Sequence, residues 1–349
     1  MNNRPTLDQW INEKMSAAGI DGLENLAVYQ LERINSTLEH ACQNSLHYRT
    51  RIGRKKLSSL QELSQIPFTS PSDLQTDPYG MLCVHPNEVA RIVTLNTSGS
   101  TGPSKRVFFT EKDLELCRDF FHYGMQCLVN AKDTVGILFP HETPASVGDQ
   151  LIKGLERLGS STVPLYSLSS DDVLANIETH GITSLAGMPG QMSLLAEKFP
   201  HIKSVKTVLL SADFVSDKVR NTILQAWGSE VFEHYGMTEM GLGCAVSCEH
   251  QLGYHVREAD LYLEIIDPIS GRPLPDGEWG EIVFTSLTRV GMPFIRYRTG
   301  DISRWKTERC SCGSKLRLLD YIQDRKIKKA AAPLPPKNKS QPAGKIDYP

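Results

Sequence analysis

The sequence predicts an α/β protein, with a parallel sheet flanked by helices and followed by a smaller β-rich part. Three observations carry that prediction. Between Asp133 and Phe232, short apolar runs alternate with helical stretches of about ten to fifteen residues, the pattern of successive βαβ units. From Gly253 the texture changes to strands separated by tight turns. The 349 residues can bury a large core, which favours one multi-layer domain over 1–322, with its β-rich part at about 253–322.

Taken in order, residues 7–50 place apolar side chains at helical spacing. They run Leu7, Trp10, Ile11 and Met15, then Leu23, Ala27, Leu31, Ile34, Leu38 and Cys42, and predict two amphipathic helices packed on the body. Ser70 or Ser72 caps a helix starting near Asp73. Short strands at 91–93 and 107–110 bracket a loop rich in Ser, Thr and Gly. Helices are expected over 111–129, 146–158, 171–180 and 191–199, the second stopped by Gly159. Strands at 133–140, 161–165, 184–189, 205–210 and 230–232 alternate with them. Ligands of such sheets bind beyond the C-terminal ends of the strands. Ser211, Ala212 and Asp213 sit at one such end, and Tyr235, Gly236, Met237, Thr238 and Glu239 at another. In the β-rich part, 261–266 and 281–285 are strands around the turns Ser270-Gly271 and Pro275-Asp276-Gly277.

Composition narrows the function. A net charge of −2 offers no field for nucleic acid or an anionic membrane. No window approaches the ~18 apolar residues of a membrane span, and residues 1–5 lead into no apolar run, so neither a span nor a secretory leader is expected. Eight cysteines are too sparse for a disulfide scaffold. A soluble cytoplasmic protein is the expectation. Beyond Gln323 the pattern is lost, and the Pro-, Lys- and Ala-rich 326–339 reads as a disordered tail.

Three stretches carry chemistry. The first is Thr94-Leu95-Asn96-Thr97-Ser98-Gly99-Ser100-Thr101-Gly102-Pro103-Ser104-Lys105. Glycine adds no bulk and tolerates positive φ, so such a loop can bring backbone N–H groups and hydroxyls close to a polyphosphate. Its glycines are too close together, and Lys105 too far from them, for a Walker A loop. Taken by itself, such a loop reads rather as a Ser/Thr/Gly hairpin loop without a ligand. The second is Glu233-His234-Tyr235-Gly236-Met237-Thr238-Glu239, and the third is Phe294-Ile295-Arg296-Tyr297-Arg298-Thr299-Gly300-Asp301.

In that order, the three resemble the signature motifs of the adenylate-forming superfamily of acyl-CoA synthetases, aryl-CoA ligases and luciferase-like enzymes. Within it the chain is most similar to the phenylacetate–CoA ligase family. The phrases Asn44-Ser45-Leu46-His47-Tyr48-Arg49 and Ile66-Pro67-Phe68-Thr69-Ser70-Pro71-Ser72-Asp73-Leu74 also resemble that family. The resemblance implies the family's large N-terminal domain, with a small β-barrel-like part in the β-rich segment. It also implies a reaction in which a carboxylic acid displaces pyrophosphate from ATP and the acyl-adenylate passes to coenzyme A. By the same resemblance Thr97, Ser98, Gly99, Ser100, Thr101 and Gly102 cradle the β- and γ-phosphates. Glu239 holds Mg²⁺, Thr238 lies at the α-phosphate, and Tyr235 stacks on adenine beside Gly236 and Met237. Ser211, Ala212 and Asp213 line the base, where the family often reads Gly-Gly-Glu. Asp301 accepts the ribose hydroxyls. Lys105 is either aimed at a phosphate or a solvated loop lysine, and Arg298 either serves the site or is a structural ion-pair partner. Phe139-Pro140-His141, Gly187-Met188-Pro189-Gly190 and Gly241-Leu242-Gly243 fall where the family lines its acyl pocket, and favour an aromatic or medium apolar acid.

The departure comes at the end. The family continues past a Gly-Arg-x-Asp-Asp hinge into a mobile domain bearing a catalytic lysine. Here Arg325 matches the hinge arginine, but Ile322-Gln323-Asp324-Arg325-Lys326-Ile327-Lys328 lacks the glycine and both aspartates. The resemblance therefore implies a chain without that domain, 323–349 being a hinge remnant and tail, and a protein partner able to supply it. Transfer of AMP to another acceptor, as in deazaflavin-adenylylating synthetases, and a weakly active nucleotide-binding subunit are the rival expectations. Separately, Cys248, His255, Cys310 and Cys312, the last two in a Cys-x-Cys-Gly turn, suit a closed structural Zn²⁺ site, with His250 a rival to His255.

Overall fold

The computed structural model describes residues 6–95 and 104–323. The loop residues Thr97, Ser98, Gly99, Ser100, Thr101 and Gly102, and the hinge residue Arg325, lie outside them. The chain opens with α1 (Leu7–Ala17), α2 (Leu26–Asn44) and α3 (Leu46–Arg51). The helical spacing is the reason the first two form: Leu7, Trp10, Ile11 and Met15 are buried on α1, and Ile34, Leu38, Ala41 and Cys42 on α2. α4 (Pro71–Thr76) starts at Ser70 rather than Ser72. The Ser70 hydroxyl accepts from the Asp73 N–H at 3.3 Å, and the Asp73 carboxylate accepts from the Ser70 N–H at 2.8 Å, a reciprocal cap.

β1 (Val89–Leu95) and β2 (Lys105–Thr110) form an antiparallel ribbon whose register places Leu95 opposite Lys105. The βα succession follows: α5 (Glu111–Met125), β3 (Thr134–Ile137), α6 (Val147–Leu158), β4 (Ser161–Pro164) and α7 (Ser170–His180). It continues through β5 (Ser184–Gly187), α8 (Pro189–Lys198), β6 (Thr207–Leu210), α9 (Asp217–Trp227) and β7 (Glu230–Tyr235). The β-rich part supplies β8 (Ala245–Ser247), β9 (Tyr254–Val256), β10 (Leu261–Ile266), β11 (Gly280–Ser286), β12 (Tyr297–Ser303) and β13 (Leu318–Leu319).

One eight-stranded sheet, ordered β13-β9-β8-β7-β6-β5-β3-β4, organises the molecule. Strands β3 to β7 are mutually parallel, and β8, β9 and β13 extend the sheet antiparallel. The period-2 alternation of strands sorts the core onto two faces. Ala186, Leu209 and Phe232 face α1, α5 and α6 through Trp10, Phe120 and Leu151. Leu185, Val208 and Val231 face α7, α8 and α9 through Ile177, Leu195 and Ile223. β10, β11 and β12 form a separate three-stranded antiparallel sheet.

The differences from expectation have local causes. α5 stops at Met125 rather than 129, because the N–H groups of Leu128 and Val129 both turn back to the Met125 carbonyl at 2.9 Å. α9 has no counterpart in the expectation, although Ser216 caps it and Gly228, at φ 73°, ends it. Its only fully buried side chains, Ile223 and Trp227, make too thin a stripe for periodicity to register. The β-rich segment divides: β9 and β13 join the large sheet, while β10–β12 stand apart.

Asp113 ties the helical half to the β-rich half. Its buried carboxylate accepts from the N–H groups of Thr110, Val290 and Gly291 at 2.9, 2.9 and 3.1 Å. Asp113→Ala should lower stability by at least about 3 kcal/mol, since it removes a helix cap and leaves buried donors unmet. The shift in urea unfolding midpoint measures it.

Candidate active site

The carboxyl ends of β6 and β7 open onto a cavity of about 330 Å³. Its walls come from Ala212 to Val215 after β6, from Glu233 to Gly236 at the end of β7, and from Tyr254, Asp301 and 321–323. Ala212 holds φ at 72°, a left-handed conformation that favours glycine, and the kink leaves Ala212, Asp213 and Phe214 exposed at the lip. Gly236 is required by close approach: a Cβ there would stand 2.7 Å from the Leu242 carbonyl oxygen and from Gly243 Cα. Tyr235 donates its phenolic proton to Asp301 Oδ2 at 3.1 Å, and burial, then the Asp301 charge, pushes its pKa well above the usual tyrosine value.

Beside this cavity, the turn Thr238–Met240 carries Glu239, only 1% exposed. Lys105, from the start of β2, donates to Glu239 Oε1 at 2.5 Å, and the Tyr297 hydroxyl of β12 donates to the same oxygen at 3.0 Å. Burial first, then the Glu239 charge, holds the Tyr297 phenol protonated. The turn itself is clamped. Arg289 donates to the Glu239 and Phe108 carbonyls at 2.8 Å each, and Arg257 donates to the Met240 carbonyl at 2.5 Å. Lys105 therefore meets a carboxylate among the described residues. Arg298 ion-pairs with Glu281, away from Glu239, and is a structural partner of the small sheet.

A second cluster forms where β8, β9 and the segment before β13 meet. One ligand atom each from Cys248, His255, Cys310 and Cys312 lies within 4.8 Å of all the others. Cys248 Sγ is 3.5 Å from Cys310 Sγ, and Cys312 Sγ is 3.5 Å from His255 Nε2. With Zn–S near ~2.3 Å, a tetrahedral site has ligand edges of about 3.5–3.8 Å, so the residues fit such an ion. His250 stands outside the cluster, 2.9 Å from the Ser311 hydroxyl. The hydrogen bonds from Cys248 and then His255 hold the Cys312 thiol far below its usual pKa. Burial opposes a charged His255, but its bonds to Cys310 and Cys312 prevail and raise it to about 9.

The structure thus brings Tyr235, Gly236 and Asp301 to one cavity, with Ala212 and Asp213 at its lip and Glu239 and Lys105 paired beside it. Residues 31–288 match the AMP-binding enzyme family. The chain is 31% identical to the phenylacetate-coenzyme A ligase of Pseudomonas putida over 320 residues, which cover 87% of this chain and 71% of that protein. The chain belongs to the AMP-binding enzyme family, among the phenylacetate–CoA ligases. It is 29% identical to the phenylacetate-coenzyme A ligase of Thermus thermophilus over 89% of this chain and 70% of that one. In fold it is similar to a 2-hydroxyisobutyryl-CoA ligase in complex with 2-HIB-AMP and CoA, with TM-score 0.78 and 22% identity over 87% of this chain and 69% of that chain. No helix among the described residues of this family member is long and apolar enough to cross a membrane.

Tyr254 and Tyr321 of the ligase cavity, and Arg220 beside them, have no motif to announce them. Tyr254 donates to Glu233 Oε2 at 3.0 Å, Arg220 ion-pairs with Glu233 Oε1, and Arg220 lies 5.1 Å over the Tyr321 ring. His234 packs between Phe120 and Phe121 and shares a 2.7 Å hydrogen bond with the Ser211 hydroxyl. Burial, then the Arg257 charge, pushes its pKa down to about 4. The neutral ring favours the fold fully above the unfolded-state value of 6.5, and that contribution is lost as pH falls from 6.5 towards 4. Between pH 7 and pH 4.5 the wild type should therefore lose about 2–3 kcal/mol more stability than His234→Gln. Urea unfolding at the two pH values measures the difference.

Proposed function

We propose that this protein activates an aromatic carboxylic acid with ATP as an acyl-adenylate and passes the acyl group to coenzyme A. The observation that carries the reading is the convergence of Tyr235, Asp301 and the buried Glu239 at the carboxyl edge of the parallel sheet. AMP-forming acid–CoA ligase chemistry is what membership among the phenylacetate–CoA ligases supports. Tyr235 faces the base, with Ala212 and Asp213 at the opposite lip. The Asp301 carboxylate accepts the ribose hydroxyls, oriented by the Tyr235 hydroxyl. Thr238 lies at the α-phosphate, and the loop from Thr97 to Gly102 meets the terminal phosphates with its hydroxyls and N–H groups.

Glu239 suits a divalent cation, because its buried carboxylate already takes a positive charge from Lys105. Mg²⁺ bound there supplies charge neutralisation of the phosphates. With a cation there, the Lys105 ammonium would pair with a phosphate instead of Glu239, and Tyr297 would keep the carboxylate oriented. Cys248, His255, Cys310 and Cys312 hold a structural Zn²⁺, which ties β8 and β9 to the segment before β13. Tyr321, Ile322 and Gln323 line the cavity. A lysine-bearing domain closing over it, in cis or from a partner protein, would stabilise charge on the reacting phosphate.

ATP–pyrophosphate exchange over a panel of acids tests the reading. Exchange should be fastest with arylacetates and benzoates and slow with long-chain fatty acids. Exchange with no acid, or with fatty acids alone, would overturn it.

Two further outcomes follow from the residue roles. Asp301→Ala should weaken AMP binding by about 1.5–3 kcal/mol, the size of a hydrogen bond to a charged group, as read by calorimetry. Zinc analysis of protein purified without chelator should find about one ion per chain, and Cys310→Ser should release it and lower the unfolding temperature.

A further inference from the structure

The cysteine–histidine cluster and the nucleotide cavity share two short strands. On β9, Tyr254 and His255 are consecutive, and neighbours on a strand point to opposite faces. Tyr254 lines the cavity, while His255 turns to Cys312. β13 pairs with β9 through Leu318 opposite His255 and Leu319 opposite Tyr254. It is preceded by Cys310 and Cys312 and followed by Tyr321, Ile322 and Gln323 of the cavity wall. β13 has two residues, and its other edge bonds the 304–306 segment, where the Lys306 N–H meets the Leu318 carbonyl at 2.8 Å and the Asp320 N–H the Arg304 carbonyl at 2.9 Å. So short a strand gains little from its ladders, and what is attached at either end adds to its placement.

On the cavity side, the attachments are aromatic and ionic. The Tyr321 ring meets Tyr254 edge-on, with centroids 5.0 Å apart at 83°, and Arg220 covers its face at 5.1 Å. Arg220 pairs with Glu233, and Glu233 accepts the Tyr254 hydroxyl at 3.0 Å. Four side chains from β7, β9, α9 and the exit of β13 thus form one closed set at the cavity wall. On the other side, the sulfur and imidazole ligands bring β8, β9 and the 310–312 turn to one point, beside the β8–β9 ladder and a 2.9 Å hydrogen bond between Ser311 and His250.

We infer that Cys248, His255, Cys310 and Cys312 are positioning residues for the nucleotide cavity: zinc held by them keeps β9 and β13 in register, places Tyr254 and Tyr321 against the nucleotide, and makes zinc and nucleotide affinities mutually dependent. The inference rests on the zinc and nucleotide readings above. A zinc ion acting only as a global staple would raise the unfolding temperature and leave the AMP affinity of folded protein unchanged. Linkage requires instead that each ligand tighten the other by the same factor.

The test uses the full chain with AMP and Zn²⁺ as probes. Removal of zinc by chelation should weaken AMP binding at least fivefold by calorimetry, and reloading should restore it. Saturating AMP should tighten zinc by the same factor, read in competition with a chromogenic chelator. Tyr321→Ala should weaken AMP binding to the zinc-loaded protein and abolish the response to zinc. If depletion unfolds the chain, the competition arm on zinc-loaded protein decides alone. Protein that binds zinc and AMP with neither affinity changed by more than twofold overturns the coupling while sparing both parent readings. A chain that takes up no zinc overturns the coupling through the zinc reading, and one that binds zinc but no AMP overturns it through the nucleotide reading.

Discussion

A carboxylate almost sealed from water is the constraint on which the rest of the site depends. Glu239 is 1% exposed, and an isolated charge at that depth costs far more than a domain's net stability unless it is paired and hydrogen-bonded. Lys105 supplies the charge and Tyr297 a second hydrogen bond, so the ribbon strand β2, the turn after β7 and the small-sheet strand β12 must meet at one point. Arg289 and Arg257 then fix the carbonyls of the same turn, leaving the carboxylate no freedom to swing out. Side chains of all three motifs meet at this one charge, and the Tyr235–Asp301 hydrogen bond joins the second and third again.

The parallel sheet decides where that meeting occurs. Its strands end in a row, and the loops leaving β6 and β7 are short enough to stay at the edge. Backbone strain is spent there. Ala212 at φ 72° occupies a position where the resembling family often has glycine, and Gly236 could carry no side chain against the 242–243 backbone. The antiparallel extension through β8, β9 and β13 then carries the far wall of the cavity and the soft-ligand cluster on opposite faces of one strand. The two sites are neighbours because the side chains of a strand alternate.

Both motif recognition and periodicity worked where the information was contiguous. The helices α1, α2, α6, α7 and α8 and the parallel strands follow apolar spacing and punctuation such as Gly159 and Gly181, both left-handed helix stops. α9 escaped because two buried residues make no period, and the second half of the Phe294–Asp301 motif lies in strand β12, with every second side chain turned inward. Of the two arginines in that motif, Arg296 is the buried one, bidentate to Glu264 at 2.9 Å, while Arg298 pairs at the edge with Glu281. Alternation would put residues two apart on one face; Arg296 instead sits just before β12 with φ at 47°, and that backbone turn, which nothing local announces, separates the two.

The sequence by itself determined the α/β class, most of the alternating helices and strands, the residue types of a nucleotide site and three of the soft ligands, Cys248, Cys310 and Cys312. Each of these is written in short stretches or in residue chemistry that needs no partner to be read. Tertiary structure alone decided that Lys105 faces a carboxylate, that His255 rather than His250 joins the cysteines, and that Tyr254, Tyr321 and Glu233 wall the cavity with Arg220 against Glu233 and Tyr321. The Lys105–Glu239 contact spans 134 residues of sequence, and contacts at such separations exist only once the sheet has closed the intervening chain. Burial then selects among possible partners, because a charge or hydroxyl left unmet inside costs more than any local preference returns.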